Sequence, residues 1–168
     1  MSTQNTPSIN EIPVTLSPDT FLDTMEKLKK MLSFINPKIT KITMDETNLW
    51  SIYEGVINND KIRIELNIDS SNKFLEIVIE YGEEYEFLCY YEGETVRLRD
   101  ITDAIEKLKR RVYKKTVVYQ KRMAFVGCVK ETVKHISLYG EYVSIHVNDM
   151  ITDEFIERVK ICRKILAE

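Results

Sequence analysis

Residues Ile62, Ile64, Leu66 and Ile68 alternate without a break with Lys61, Arg63, Glu65, Asn67 and Asp69. A strict period of two puts every apolar side chain on one face of an extended strand and every polar one on the other. Similar runs occur at KITKITM, NLWSIYEGVI, KFLEIVIEY, YEFLCYYE and ETVRLR. Short polar joints separate them: Asn58-Asn59-Asp60, Asp69-Ser70-Ser71-Asn72, Gly82-Glu83-Glu84 and Glu92-Gly93. Joints this short connect antiparallel neighbours, so the pattern predicts a meander of five or six strands. A sheet wet on one face needs an apolar cover on the other.

Three helical stripes can supply that cover. Ser17-Pro18 supplies an N-cap residue and a first-turn proline ahead of Phe21, Met25, Leu28, Leu32 and Ile35, and Asn36-Pro37 closes the helix. A second stripe starts near Asp100 with Ile101, Ile105, Leu108 and Val112, and a third carries Phe155, Val159, Cys162 and Ile165. Between them, Tyr119, Met123 and Val126 continue the helical spacing, which favours helix to about Val126 and a break at Gly127, while the β-branched and aromatic run Thr116-Val117-Val118-Tyr119 leaves open a helix followed by a strand over residues 116–134. The expected fold is α+β: an antiparallel meander plus a C-terminal hairpin, covered on one face by three helices. Residues 18–168 are expected to form one domain. Residues 1–17, polar and proline-bearing, form a mobile arm in which Ile9, Ile12, Val14 and Leu16 could dock.

The hairpin is HISLYGEYVSIH, residues 135 to 146. A two-residue loop at Gly140-Glu141 sets Tyr139 opposite Tyr142, Leu138 opposite Val143, Ser137 opposite Ser144, Ile136 opposite Ile145 and His135 opposite His146. The two imidazoles then become neighbours on the serine and tyrosine face. His135-Ile136-Ser137-Leu138 resembles one histidine motif of the two-histidine phosphoesterases, in which a paired histidine and hydroxyl bind and protonate a phosphodiester. That family carries a second copy far away in the chain; here His146-Val147-Asn148-Asp149 lies in the adjoining strand and lacks the hydroxyl. An exposed polar hairpin face explains the same residues. No third metal ligand accompanies the pair, and no phosphate-cradling loop, paired-cysteine zinc motif or His-Glu-x-x-His occurs, so neither cofactor nor metal nor small-molecule substrate is expected.

Three cysteines, Cys89, Cys128 and Cys162, are odd in number and widely spaced, which predicts free thiols in a reducing compartment. The N-terminal residues show neither a basic nor an apolar signal region, and no apolar run approaches the roughly 20 residues of a membrane helix, so a cytoplasmic setting is expected.

Charge separates along the chain. Residues 1–99 carry about −7 and residues 100–168 about +4. The acidic, tyrosine-rich end offers Tyr81, Glu83, Glu84, Tyr85, Glu86, Tyr90 and Glu92 as candidate partner-binding residues, since aromatic side chains carry much interface energy. The basic end offers Lys107, Arg110, Arg111, Lys114, Lys115 and Arg122, which could neutralise phosphates while Tyr113 and Tyr119 stack on bases. The order helix, meander, helix, hairpin, helix looks like an enlarged version of the layout of type III secretion chaperones, and that likeness implies protein binding without catalysis. The expected role is therefore a non-enzymatic interaction or assembly protein with a protein partner or a second copy. Nucleic-acid binding through residues 107–122 is the alternative, and a phosphoesterase using His135 and His146 the third.

Overall fold

The computed structural model describes residues 9–130, 135–139, 142–146 and 152–167. The chain divides into two compact units, residues 1–112 and 113–168.

The first unit is built on a five-stranded antiparallel sheet in the order β2 (Lys38–Met44), β3 (Asn48–Ile57), β4 (Asp60–Asp69), β5 (Phe74–Tyr81) and β6 (Glu84–Tyr90). The expected meander is thus five strands long. The sixth run, Thr95–Arg97, forms β7 and pairs instead with β1 (Glu11–Pro13), setting Ile12 opposite Val96. That pairing docks the part of the expected arm that is described: Ile12, Val14 and Leu16 are all buried, and the Val14 N–H donates to the Glu94 carbonyl at 2.8 Å. Residues 1–8 lie outside the described residues.

Strand parity explains the core. Ile62, Ile64, Leu66 and Ile68 of β4 meet Leu75, Ile77 and Ile79 of β5 on one face, all essentially inaccessible to solvent. Each such side chain contributes roughly 1.5–3 kcal/mol by leaving water. The stripe of α1 (Phe21–Met31) and the 3-10 turn after it, from Phe21 to Ile35, lies in the same core, and the Tyr53 hydroxyl of β3 donates to the Met25 carbonyl at 2.8 Å. Burial pushes the Tyr53 phenol well above its usual range, so it stays a donor. Asn36, in the left-handed region at φ 50°, ends this helical stretch. Gly55 is required by contact rather than by backbone shape. A Cβ there would overlap the Ile35 carbonyl oxygen and lie 2.8 Å from Ile35 Cγ1.

Helix α2 runs Leu98–Val129, and its first part buries Ile101, Ala104, Ile105 and Leu108 in the same core. The helix passes through Gly127 without the expected break. A helical glycine costs only about 1 kcal/mol relative to alanine.

The second unit is a small cluster. Phe125, Val129 and Cys162 are buried, and Ile136, Val143, Ile145, Phe155 and Val159 pack on them from the hairpin strands β8 (His135–Tyr139) and β9 (Tyr142–His146) and from α3 (Asp153–Ala167). The hairpin register is the expected one, His135 opposite His146 through Tyr139 opposite Tyr142. The loop itself and both imidazoles lie outside the described positions. The cysteine expectation is corrected here: Cys128 and Cys162 form a disulfide with Cα atoms 5.8 Å apart, and only Cys89 is a free thiol. Two cysteines 34 residues apart carry no spacing signal; they meet where Phe125 and Val129 of α2 and Phe155 and Val159 of α3 share one apolar cluster.

Candidate functional site

The turn that follows β5 decides which residues of β6 this sheet shows to solvent. Gly82-Glu83 joins β5 to β6 with both residues at positive φ, 54° and 67°, the left-handed pair of a type I′ turn. A two-residue turn closes on a mutually hydrogen-bonded pair, here Tyr81 and Glu84. Glu84, Glu86, Leu88 and Tyr90 therefore face the core side and spend their backbone groups on β5. Tyr85, Phe87 and Cys89 point the other way.

Their side chains complete the outer face of the sheet in three cross-strand rows. One runs Thr43, Trp50, Asn67, Glu76, Cys89; the next Lys41, Ile52, Glu65, Val78, Phe87; the third Lys38, Glu54, Arg63, Glu80, Tyr85. The middle of this face is apolar. Ile52 is buried beneath its neighbours, Trp50 and Val78 are half-buried, and Phe87 is 63% exposed. The Lys41 ammonium sits 4.1 Å from the Trp50 ring centre, a cation–π contact, and the Trp50 indole N–H points at Glu65 Oε2, 3.4 Å away. Arg63 lies between Glu65 at 3.1 Å and Glu80 at 3.4 Å. Four carboxylates, Glu54, Glu65, Glu76 and Glu80, frame the apolar centre against Lys38, Lys41 and Arg63. The face is acidic and aromatic.

Several residues expected to bind a partner serve the fold. Tyr90 is buried with its hydroxyl donating to Asp100 Oδ2 at 3.0 Å, and burial raises its pKa. Glu86 pairs with Arg111 at 2.8 Å, and Glu92 accepts the Leu16 N–H at 3.0 Å. Tyr81 donates to Asp60 Oδ2 at 2.6 Å, a bond that raises its pKa. Glu84 is half-buried on the core side, and Glu83 is exposed in the turn. Tyr85 alone of the tyrosines in this set is on the outer face, half exposed, its phenol pKa raised chiefly by the nearby Glu80 charge. Phe87, Cys89 and Trp50 are missing from the expected set. The signal that could have found the first two was the parity fixed by the Gly82-Glu83 turn.

The basic segment is dispersed. Arg111 reaches β6, donating to the Tyr85 carbonyl at 3.1 Å as well as pairing with Glu86. Lys107 lines a groove of about 430 Å³ between β6 and α2, and Arg110 folds back on the Glu106 carbonyl. Lys114 and Lys115 are exposed beside Tyr113 and Tyr119, while Arg122 is half-buried. A depression of about 690 Å³ near Gly55 is lined by Lys38, Lys61, Arg63, Glu54 and Glu80 among others, with no imidazole, thiol or hydroxyl. Among the described residues no three His, Cys, Asp or Glu side chains cluster to hold a metal ion, and no helix is long and apolar enough to cross a membrane.

The chain matches no protein-family model, no curated protein and no solved structure at a significant level.

Proposed function

We propose that this chain is a non-enzymatic interaction or assembly protein whose contact surface is the outer face and free edge of the sheet at β6. The observation that carries the reading is the row Tyr85, Phe87, Cys89 on an edge strand. A large aromatic side chain 63% exposed there is an unmet hydrophobic contact rather than a scattered surface residue, because Val78, Trp50 and Tyr85 continue the same patch. Carboxylates around it favour a partner surface with basic residues at its rim. The setting we propose is intracellular. Disulfides are uncommon there, so the Cys128–Cys162 bond would be formed or broken with the local redox state.

Cross-linking mass spectrometry in the native cell tests the reading. Cross-links from Lys41, Lys38 and Lys107 to a protein, lost when Phe87→Lys is expressed instead, are the expected result. An unchanged cross-link pattern in that variant contradicts it.

One observation favours a second reading. Tyr113 and Tyr119 are 70% and 55% exposed beside Lys114 and Lys115, a pairing of aromatic faces with cations that suits single-stranded nucleic acid. Binding that weakens steeply with salt and falls in Lys114→Glu/Lys115→Glu would support it.

A further inference from the structure

The two edges of the five-stranded sheet are built differently. At β2 the edge carries Lys38 and Lys41, and a register shift between Ile39 and Lys41 breaks its regularity. Lysines and bulges are the devices by which sheet edges avoid pairing with other strands. At β6, EYEFLCY carries no lysine, no proline and no register shift over its full pairing with β5. The backbone N–H and C=O groups of Tyr85, Phe87 and Cys89 face away from β5 by the parity of the turn. The Arg111 bond to the Tyr85 carbonyl independently confirms that direction. Among the described residues, no side chain bonds the backbone of Phe87 or Cys89.

We propose that β6 pairs antiparallel with β6 of a second copy, about a two-fold axis at Phe87, joining the two sheets into one. The inference rests on β6 being the contact surface proposed above and names its occupant. Three features select a copy of this chain. First, the register that uses the whole strand sets Phe87 opposite Phe87, Tyr85 opposite Cys89, Glu86 opposite Leu88 and Glu84 opposite Tyr90, so no two like charges oppose. Shifting the axis to Glu86 would bring two carboxylates together. Secondly, this pairing buries the exposed Phe87 against its own equivalent and the exposed Tyr85 against Cys89 and the flank of Phe87 of the other copy.

Thirdly, the helix beside the edge is self-complementary. Helix α2 runs antiparallel to β6, with Asp100 bonded to Tyr90 at one end and Arg111 bonded to Tyr85 and Glu86 at the other. Along the stripe bordering the groove the order is Asp100, Asp103, Lys107, Arg111. A two-fold axis reverses the direction of the second helix, so the acidic half of each stripe faces the basic half of the other. An isologous contact makes both matches at once. Arg111 occupies one lone pair of the Tyr85 carbonyl, and a carbonyl oxygen has a second for the Cys89 N–H of the other copy.

Sedimentation equilibrium of the full chain tests this with four proteins: wild type, Phe87→Lys, Asp103→Lys and Asp103→Lys/Lys107→Asp, each checked for folding by Trp50 fluorescence. The expected result is a wild-type dimer and a folded Phe87→Lys monomer. Asp103→Lys should dimerise about tenfold more weakly, with affinity restored in the double charge exchange, since a symmetric contact turns the acidic half of one stripe to the basic half of the other. A wild-type dimer insensitive to all three changes overturns the proposal, as does a wild-type monomer at every concentration. A monomer that still binds another protein through Phe87 overturns the second-copy assignment alone; a monomer that binds no protein overturns the contact surface with it.

Discussion

Replacing both bridging cysteines, Cys128→Ala/Cys162→Ala, should loosen the second unit while leaving the sheet intact. The bond closes a loop with a sequence separation of 34 residues, and the chain-entropy relation gives such a loop about 4 kcal/mol of stabilisation. Against this stand, among the described residues, three buried side chains, Phe125, Val129 and Cys162, one of which is half of the bond itself. At roughly 1.5–3 kcal/mol each, Phe125 and Val129 contribute about as much as the cross-link. Amide hydrogen exchange separates the two units. Protection at Ser137, Tyr139, Tyr142 and Ser144, whose N–H groups pair across the hairpin, should fall about a thousandfold, the equivalent of 4 kcal/mol, while protection in β3, β4 and β5 and the fluorescence of Trp50 stay unchanged. Thiol titration of the unfolded wild-type chain should find one reactive cysteine before reduction and all three after it. Undiminished hairpin protection in the double variant, or a sheet that loses protection in step with the hairpin, would refute the reasoning.

Other outcomes follow from the first unit. Gly55→Ala forces a methyl group into Ile35 and should cost about 1–3 kcal/mol in urea unfolding, whereas an alanine at Gly127, which meets nothing within 4 Å, should stabilise its helix by up to about 1 kcal/mol. Ile12→Ala should cost about 2–5 kcal/mol in the same assay, because the side chain is 2% exposed in the main core; a loss near zero would mean that the N-terminal strand is not docked. Acid should weaken the fold through two loop carboxylates. Asp45 accepts the N–H groups of Thr47 and Asn48, and Asp69 accepts those of Asn72, so both have folded pKa values below the ordinary carboxylate range. A depressed folded pKa gives stability that is complete above the unfolded value, near pH 4, and is lost as pH falls towards the folded one. Asp45→Asn/Asp69→Asn should therefore unfold with a shallower pH dependence below about pH 4.

Much of this architecture is legible in the chain because local chemistry and tertiary structure agree. Ile62 to Ile68 alternate so strictly that only one face can be buried, and Asn58-Asn59 accept the positive φ values that a two-residue turn imposes. The register of the C-terminal hairpin follows from counting out from Gly140-Glu141. What stayed hidden depends on partners distant in sequence. Thr95–Arg97 looks like one more meander strand, yet β1 takes it because its three residues find a complementary edge there. The disulfide needed the packing of α2 on α3. At the candidate site the tyrosines and glutamates attract the eye, but Tyr90 and Glu86 point inward to Asp100 and Arg111, and Phe87 points outward. Composition alone does not separate them; the turn before β6 does.

The most direct measurement is amide hydrogen exchange at Phe87 and Cys89, whose N–H groups lie on the free edge of β6. If β6 is a contact surface, these two amides exchange rapidly in dilute protein and become protected as the chain or its partner is concentrated, and Phe87→Lys abolishes that protection. Exchange at the same fast rate under every condition in which the protein is assembled would contradict the account.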